Sequence, residues 1–194
     1  MTLYHISQTL RLGDELKIGK QDFTDLAEPF ILGLERGPDC FYAMLLNGKY
    51  MFAVMNRSHL REWADYAKWA AEGLFEWVRR RSFPDAVSRL NCVYYYDNTE
   101  DCKRLFAEDW GEEDPEEQTK VRLFAVEADD PAPQRRDMCV YDEAYEAIER
   151  LDIDAAIAAA ERYFRGEATD EPVWEILSDK PAKAVKDLTH LLHP

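Results

Sequence analysis

Residues 58–81, SHLREWADYAKWAAEGLFEWVRRR, constrain the fold more than any other segment of the chain. Leu60, Trp63, Ala64, Ala67, Ala71, Leu74 and Val78 recur at helical spacing and form one apolar stripe. Ser58 is placed to cap the helix. Arg79, Arg80 and Arg81 fall at the negative end of its dipole. Phe83-Pro84 ends it. A long helix with one apolar face must lie against a second layer, and the segments to either side are candidates to supply one.

Several of those segments read as strands. TLYHISQTL places Leu3, His5 and Ser7 on one face and Tyr4 and Ile6 on the other. Gly13-Asp14 then marks a turn. Val87–Tyr96 (VSRLNCVYYY) is β-branched and aromatic, and KVRLFAVEA alternates. EPVWEILS and AKAVKDL complete the set near the C-terminus. Between them, Asp97-Asn98-Thr99 opens a short helix over EDCKRLFAEDW, and a further helix follows Met138. Asp152 caps another, with Ile153, Ala156, Ile157, Ala160 and Phe164 facing the core and Gly166 as its stop. GEEDPEEQ reads as an acidic loop and PAPQ as a linker. Residues 38–55 stay open: Asn47-Gly48 between apolar runs signals a hairpin, while the flanking Ala, Met and Leu residues suit a helix. Strands at both ends with helices between predict an α+β fold. No repeat or change of composition divides the 194 residues, so one domain over 1–194 is expected.

Composition narrows the function classes. A hydrophobic fraction of 46% and abundant Trp, Tyr and Phe supply a core without metal or disulfide. No run approaches the ~18 apolar residues of a membrane span, and no signal peptide is visible. Cys40, Cys92, Cys102 and Cys139 stand far apart, which reads as reduced thiols in a cytoplasmic protein. The net charge of −15 disfavours nucleic acid as a partner. The dinucleotide, P-loop, HExxH and GxSxG motifs are all missing. His190 and His193 in HLLHP read as incidental.

Three features remain. His5 is either a satisfied core histidine or a ligand contact. Tyr94-Tyr95-Tyr96 are ordinary strand aromatics when taken alone. Glu175, between Trp174 and Ile176, is the least expected, because acids are almost never fully buried without a partner. In order along the chain, YHIS, CVYYYDNTEDCKRLF and VWEIL resemble the His-Tyr-Glu pattern of ADP-ribosyltransferases, in the diphtheria-toxin and poly-ADP-ribose polymerase branch. SRLNCVYYYDN, RRDM, RYFRGE and WEIL also look like a little-characterised bacterial and phage family near these enzymes.

That resemblance implies a split β-sandwich with flanking helices and NAD as substrate. His5 would bond the adenosine ribose, the Ile6 backbone the nicotinamide amide, and Ser7 would lie near the ribose. Tyr95, or a neighbouring tyrosine, would pack along the nicotinamide, with Phe106 as a second stacking aromatic. Glu175 would bind the nicotinamide ribose and stabilise the developing oxocarbenium. No metal is called for. The position of the second acid of arginine-modifying relatives is Val173, so arginine is an unlikely acceptor. The serine that often holds the amide is replaced by Lys103, beside Cys102. Ser88 and Arg89 stand as substitutes, unless Arg89 is a structural ion pair. The acceptor could be a protein, a nucleic acid, a small molecule or water. The rival is a non-catalytic acidic module, of immunity type, that binds a basic partner. A related phosphotransfer branch would want a basic cluster, and none stands out.

Overall fold

In the computed structural model, which describes residues 2–18, 23–55 and 60–193, strands and helices segregate. In chain order the elements are β1 (Leu3–Ser7), β2 (Glu15–Leu16), α1 (Thr24–Glu35), α2 (Pro38–Met55), α3 (Leu60–Ser82), β3 (Val93–Tyr95), α4 (Thr99–Trp110), α5 (Pro115–Gln118), β4 (Arg122–Ala128), β5 (Gln134–Asp137), α6 (Met138–Glu149), α7 (Ile153–Arg165), β6 (Trp174–Ser178) and β7 (Ala182–Asp187). The fold is mixed, α+β in character. Two compact units divide it: residues 1–20, 92–135 and 173–194, and residues 21–91 and 136–172. Among the described residues no helix is long and apolar enough to cross a membrane.

The first unit holds most of the strands. One sheet runs β1-β4-β7-β2 and a second runs β3-β6-β5, the last strand leading out into the other unit. The β1–β4, β4–β7, β2–β7 and β3–β6 pairings are antiparallel. Among the described residues a single bridge, Tyr4 to Tyr96, links the two sheets. Leu3, Val93, Tyr95, Phe124, Val126, Ile176, Ala182 and Ala184 form the core of this unit. β6 is buried along most of its length, as expected of a strand covered on both faces. Asn98 caps α4 by accepting from the Asp101 amide at 2.8 Å.

The second unit is helical. α3 buries Ala67, Ala71, Leu74 and Val78 of the stripe that its spacing predicts, and Ala70 and Phe75 beside it, whereas Ala64 is half-buried; Ser58, Leu60 and Trp63 lie outside what is described at side-chain level. Residues 38–55 are a helix throughout, not a hairpin. Asp152 caps α7 through the Ala155 amide, and Gly166 at φ 75° ends it in the left-handed conformation. α7 also buries Ala159 and Tyr163, whereas Ile157 is half-buried.

Three local expectations give way. The strand read over Val87–Tyr96 is shorter, because Arg89–Asn91 winds into a 3-10 turn. That turn aims Arg89 at buried Glu72. The acidic loop contains α5, started by Pro115, which presets the first helical φ. β5 over QRRD has no alternating apolar pattern to announce it; it is recruited by pairing beside β6.

Candidate functional site

The three motif strands, distant in sequence, are consecutive neighbours within the strand-rich unit. β1 meets β3 at the Tyr4–Tyr96 bridge, where each amide donates to the other's carbonyl at 2.8 and 2.9 Å. β3 in turn pairs with β6, setting Val93 opposite Ser178, Tyr94 opposite Leu177 and Tyr95 opposite Ile176.

His5 is half-buried. Its Nδ1 donates to the Tyr94 carbonyl at 2.8 Å, and its ring meets the Tyr95 ring edge-on at 6.0 Å between centroids. A carbonyl only accepts, so Nδ1 carries the proton and Nε2 of the neutral ring presents a lone pair. Burial lowers the imidazole pKa, against the raising effect of the Tyr94 hydrogen bond. Burial thus favours the neutral ring.

Ile6 is set apart by its backbone. Tyr4 directs its N–H and C=O toward β3, and a strand repeats that direction every second residue. The Ile6 amide and carbonyl thus face the same side. The antiparallel bridge sets Tyr94 opposite Ile6, but the Tyr94 carbonyl accepts from His5 Nδ1, and among the described residues no ladder joins β1 to β3 beyond the Tyr4–Tyr96 bridge. Ser7 closes β1: its Oγ accepts from the Thr9 and Leu10 amides at 3.2 and 3.1 Å, a turn role that leaves its hydroxyl proton to donate.

Tyr95 does not line a cleft. It is 0% exposed and belongs to the core with Ile176. Burial, then the nearby Cys92 and Asp130, pushes its phenol pKa upward, and among the described residues its hydroxyl has no hydrogen-bond partner. Glu175, 2% exposed, adjoins Ile176 along β6 and so faces the opposite side of the sheet from Tyr95. Tyr94, paired with Leu177, shares the Glu175 side. One further step of the register sets Tyr96 opposite Glu175. The structure thus brings His5 to Tyr95, and Tyr94 and Tyr96 to the face of Glu175, but leaves Tyr95 and Glu175 on different faces.

The remaining candidates scatter. Phe106 on α4 stacks on Trp110 at 6.3 Å and meets His193 edge-on at 5.1 Å. His193 Nε2 lies 3.3 Å from the Val121 carbonyl, so the C-terminal histidine is part of the packing. Cys102 is buried, its Sγ donates to the Asn98 carbonyl, and burial raises the thiol pKa to about 12. Lys103 pairs with Glu100 at 2.7 Å. Ser88 and Arg89 belong to the helical unit. Ser88 donates to Glu76 at 2.8 Å. Arg89 pairs with Glu72 at 3.1 Å, donates to the Tyr163 hydroxyl at 2.7 Å and lies 4.1 Å over the Tyr141 ring. Arg89 is thus a structural ion pair.

Sequence reasoning missed Trp174 and Arg135. The Arg135 guanidinium lies 4.1 Å over the Trp174 ring and bonds Asp97 at 2.7 Å, at the entrance to the Glu175 strand. Both lie in segments that look like those of a bacterial and phage family, Trp174 in WEIL and Arg135 in RRDM, but the strand β5 that carries Arg135 was unannounced.

The chain belongs to a family described as a protein of unknown function, DUF2441, whose profile matches residues 3–190. No curated protein matches the sequence.

Proposed function

We propose that the strand-rich unit binds NAD and acts as an ADP-ribosyltransferase-like enzyme. The observation that carries this reading is the adjacency of the His5, tyrosine and Glu175 strands, with the Ile6 backbone groups on the β3 side of β1, beyond the Tyr4–Tyr96 bridge. Two small sheets joined by one bridge support the split arrangement that the sequence resemblance implies.

In this reading the nicotinamide amide pairs with the Ile6 N–H and C=O, as an added strand pairs with an open edge. Nε2 of neutral His5 accepts from a ribose hydroxyl. The Glu175 carboxylate stabilises positive charge on the ribose as the bond from C1′ to the nicotinamide nitrogen breaks. The bonding electrons leave with nicotinamide. An acceptor nucleophile then bonds C1′ and loses its proton. The aromatic wall falls to Tyr94 or Tyr96, because these share Glu175's face.

The test is nicotinamide release from NAD by the full chain, with and without cell lysate as a source of acceptors. Wild-type turnover should fall by about 10²-fold or more in Glu175→Gln, the scale of removing one transition-state electrostatic contact. Absence of both NAD binding and turnover in the wild type would overturn the reading.

A further inference from the structure

Among the described residues, six of the eight large apolar side chains that stand exposed lie on two consecutive helices. They are Leu26 and Leu32 on α1 and Tyr42, Leu46, Tyr50 and Met51 on α2. Scattered exposed apolar residues are ordinary, whereas a cluster marks a surface that something covers.

The α2 sequence explains the cluster. From Phe41 to Met51 its single charged residue is Lys49, and that ammonium donates to the Glu149 carbonyl at 2.7 Å. Phe41 and Leu45, one turn apart, are buried. Tyr42, Leu46 and Tyr50, at i, i+4 and i+8, form a second stripe that is 41%, 45% and 65% exposed. A helix apolar all round belongs in a setting that covers it all round. Here one stripe is covered by the helical unit and the other is bare.

Charge indicates the occupant. Asp39 stands one turn before Tyr42, and Asp25 and Glu35 are exposed on α1. Arg36 is the one base between Phe23 and Gly48. A second copy of the chain would set this acidic rim against itself, with −15 on each body. The complementary surface is apolar along its middle and basic at its margins.

We propose that the α1–α2 face docks a basic amphipathic helix of a partner protein. Its apolar stripe lies on Tyr42, Leu46 and Tyr50, and its Lys and Arg side chains face Asp25, Glu35 and Asp39. The face belongs wholly to the helical unit, so the proposal does not depend on the NAD reading.

The test uses the full chain and a fluorescent synthetic helix of leucine and lysine at amphipathic spacing, followed by anisotropy at physiological salt. A matched peptide with glutamate in place of lysine serves as control, and light scattering reports the oligomeric state. The Leu/Lys helix should bind a monomeric wild type, and the Leu/Glu helix should not. The double variant Leu46→Ser, Tyr50→Ser, whose circular dichroism should match wild type because both positions are exposed, should weaken binding about tenfold or more, equivalent to about 1.4 kcal/mol. Four outcomes would overturn the proposal. They are no binding, equal binding of both peptides, equal binding by the double variant, or a wild-type dimer that the double variant dissociates.

Discussion

Tyr95 holds an anomaly: its ring fills the core of the strand-rich unit while its hydroxyl meets no partner among the described residues. A buried unsatisfied hydroxyl costs roughly 1–3 kcal/mol. Tyr95→Phe removes that cost and keeps the ring, so it should raise stability by about 1 kcal/mol, read as a higher urea midpoint at unchanged slope. A lower midpoint would mean that the hydroxyl is satisfied in solution. The placement of Tyr95 was hidden in the sequence. Three adjacent tyrosines offer no local signal of which one turns inward, because the register between β3 and β6 decides it. Glu175 was legible as unusual, since an acid flanked by Trp and Ile has few places to go except inside, and inside is where it lies.

Legibility at the level of elements followed the strength of local chemistry. Caps at Asn98 and Asp152 and the stop at Gly166 announced their helices, because each side chain or conformation serves a specific orphan backbone group. Asn47-Gly48 kept a turn open as an alternative to the helix that forms. In α2 the absent side chain of Gly48 makes room for the Tyr66 ring, which a Cβ there would meet at 2.6 Å, and the Tyr66 hydroxyl donates to the Met44 carbonyl. Packing against α3 therefore outweighs the turn preference, and no reading of residues 38–55 alone contains that neighbour. Asp137 ties α6 to the segment after α7. It is buried, one oxygen accepts from the Cys139 amide, and the other accepts from the amide and hydroxyl of Thr169. Asp137→Ala should cost about 2–3 kcal/mol, combining a lost cap with unpaired donors at Thr169. Asp137→Asn, which keeps the acceptor for Cys139, should cost less. Thermal or urea unfolding of the two variants checks the ranking.

For the whole molecule, half-buried His5 and buried Glu76 set separate acid limits on stability. His5 has its pKa lowered by burial, so below its ordinary value of about 6.5 the unfolded chain binds a proton that the folded chain refuses. Stability is full above that pH and falls as pH drops below it, until the folded ring also protonates. Glu76 responds lower down. Burial alone would raise its pKa, but hydrogen bonds from Arg79, Arg80 and Ser88, with the Arg79 charge, outweigh burial and hold it below the ordinary 4.5. Its contribution is present above about 4.5 and is lost as pH falls further. Urea midpoints across this range should decline first near pH 6, with a slope of no more than about 1.4 kcal/mol per pH unit from one group. His5→Gln should abolish that first decline and spare the acid one. A first decline of equal size in the variant would assign it to another group.

The strand-rich unit is assembled from three stretches of chain, and the last of them carries β6 and β7. On the ribosome this order has a cost. Until that final stretch emerges, β3 lacks its β6 neighbour and β4 has only β1, so both sheets wait with an open edge. Long-range antiparallel pairing is slow, and bare edges are templates for the wrong partner. The helices α1, α2 and α3 pack on one another and precede β3, so that part of the helical unit has no such delay, although α3 also waits for α6 and α7. Synthesis should therefore produce a chain whose first helices form early and whose sheets close only after β6 and β7 have emerged.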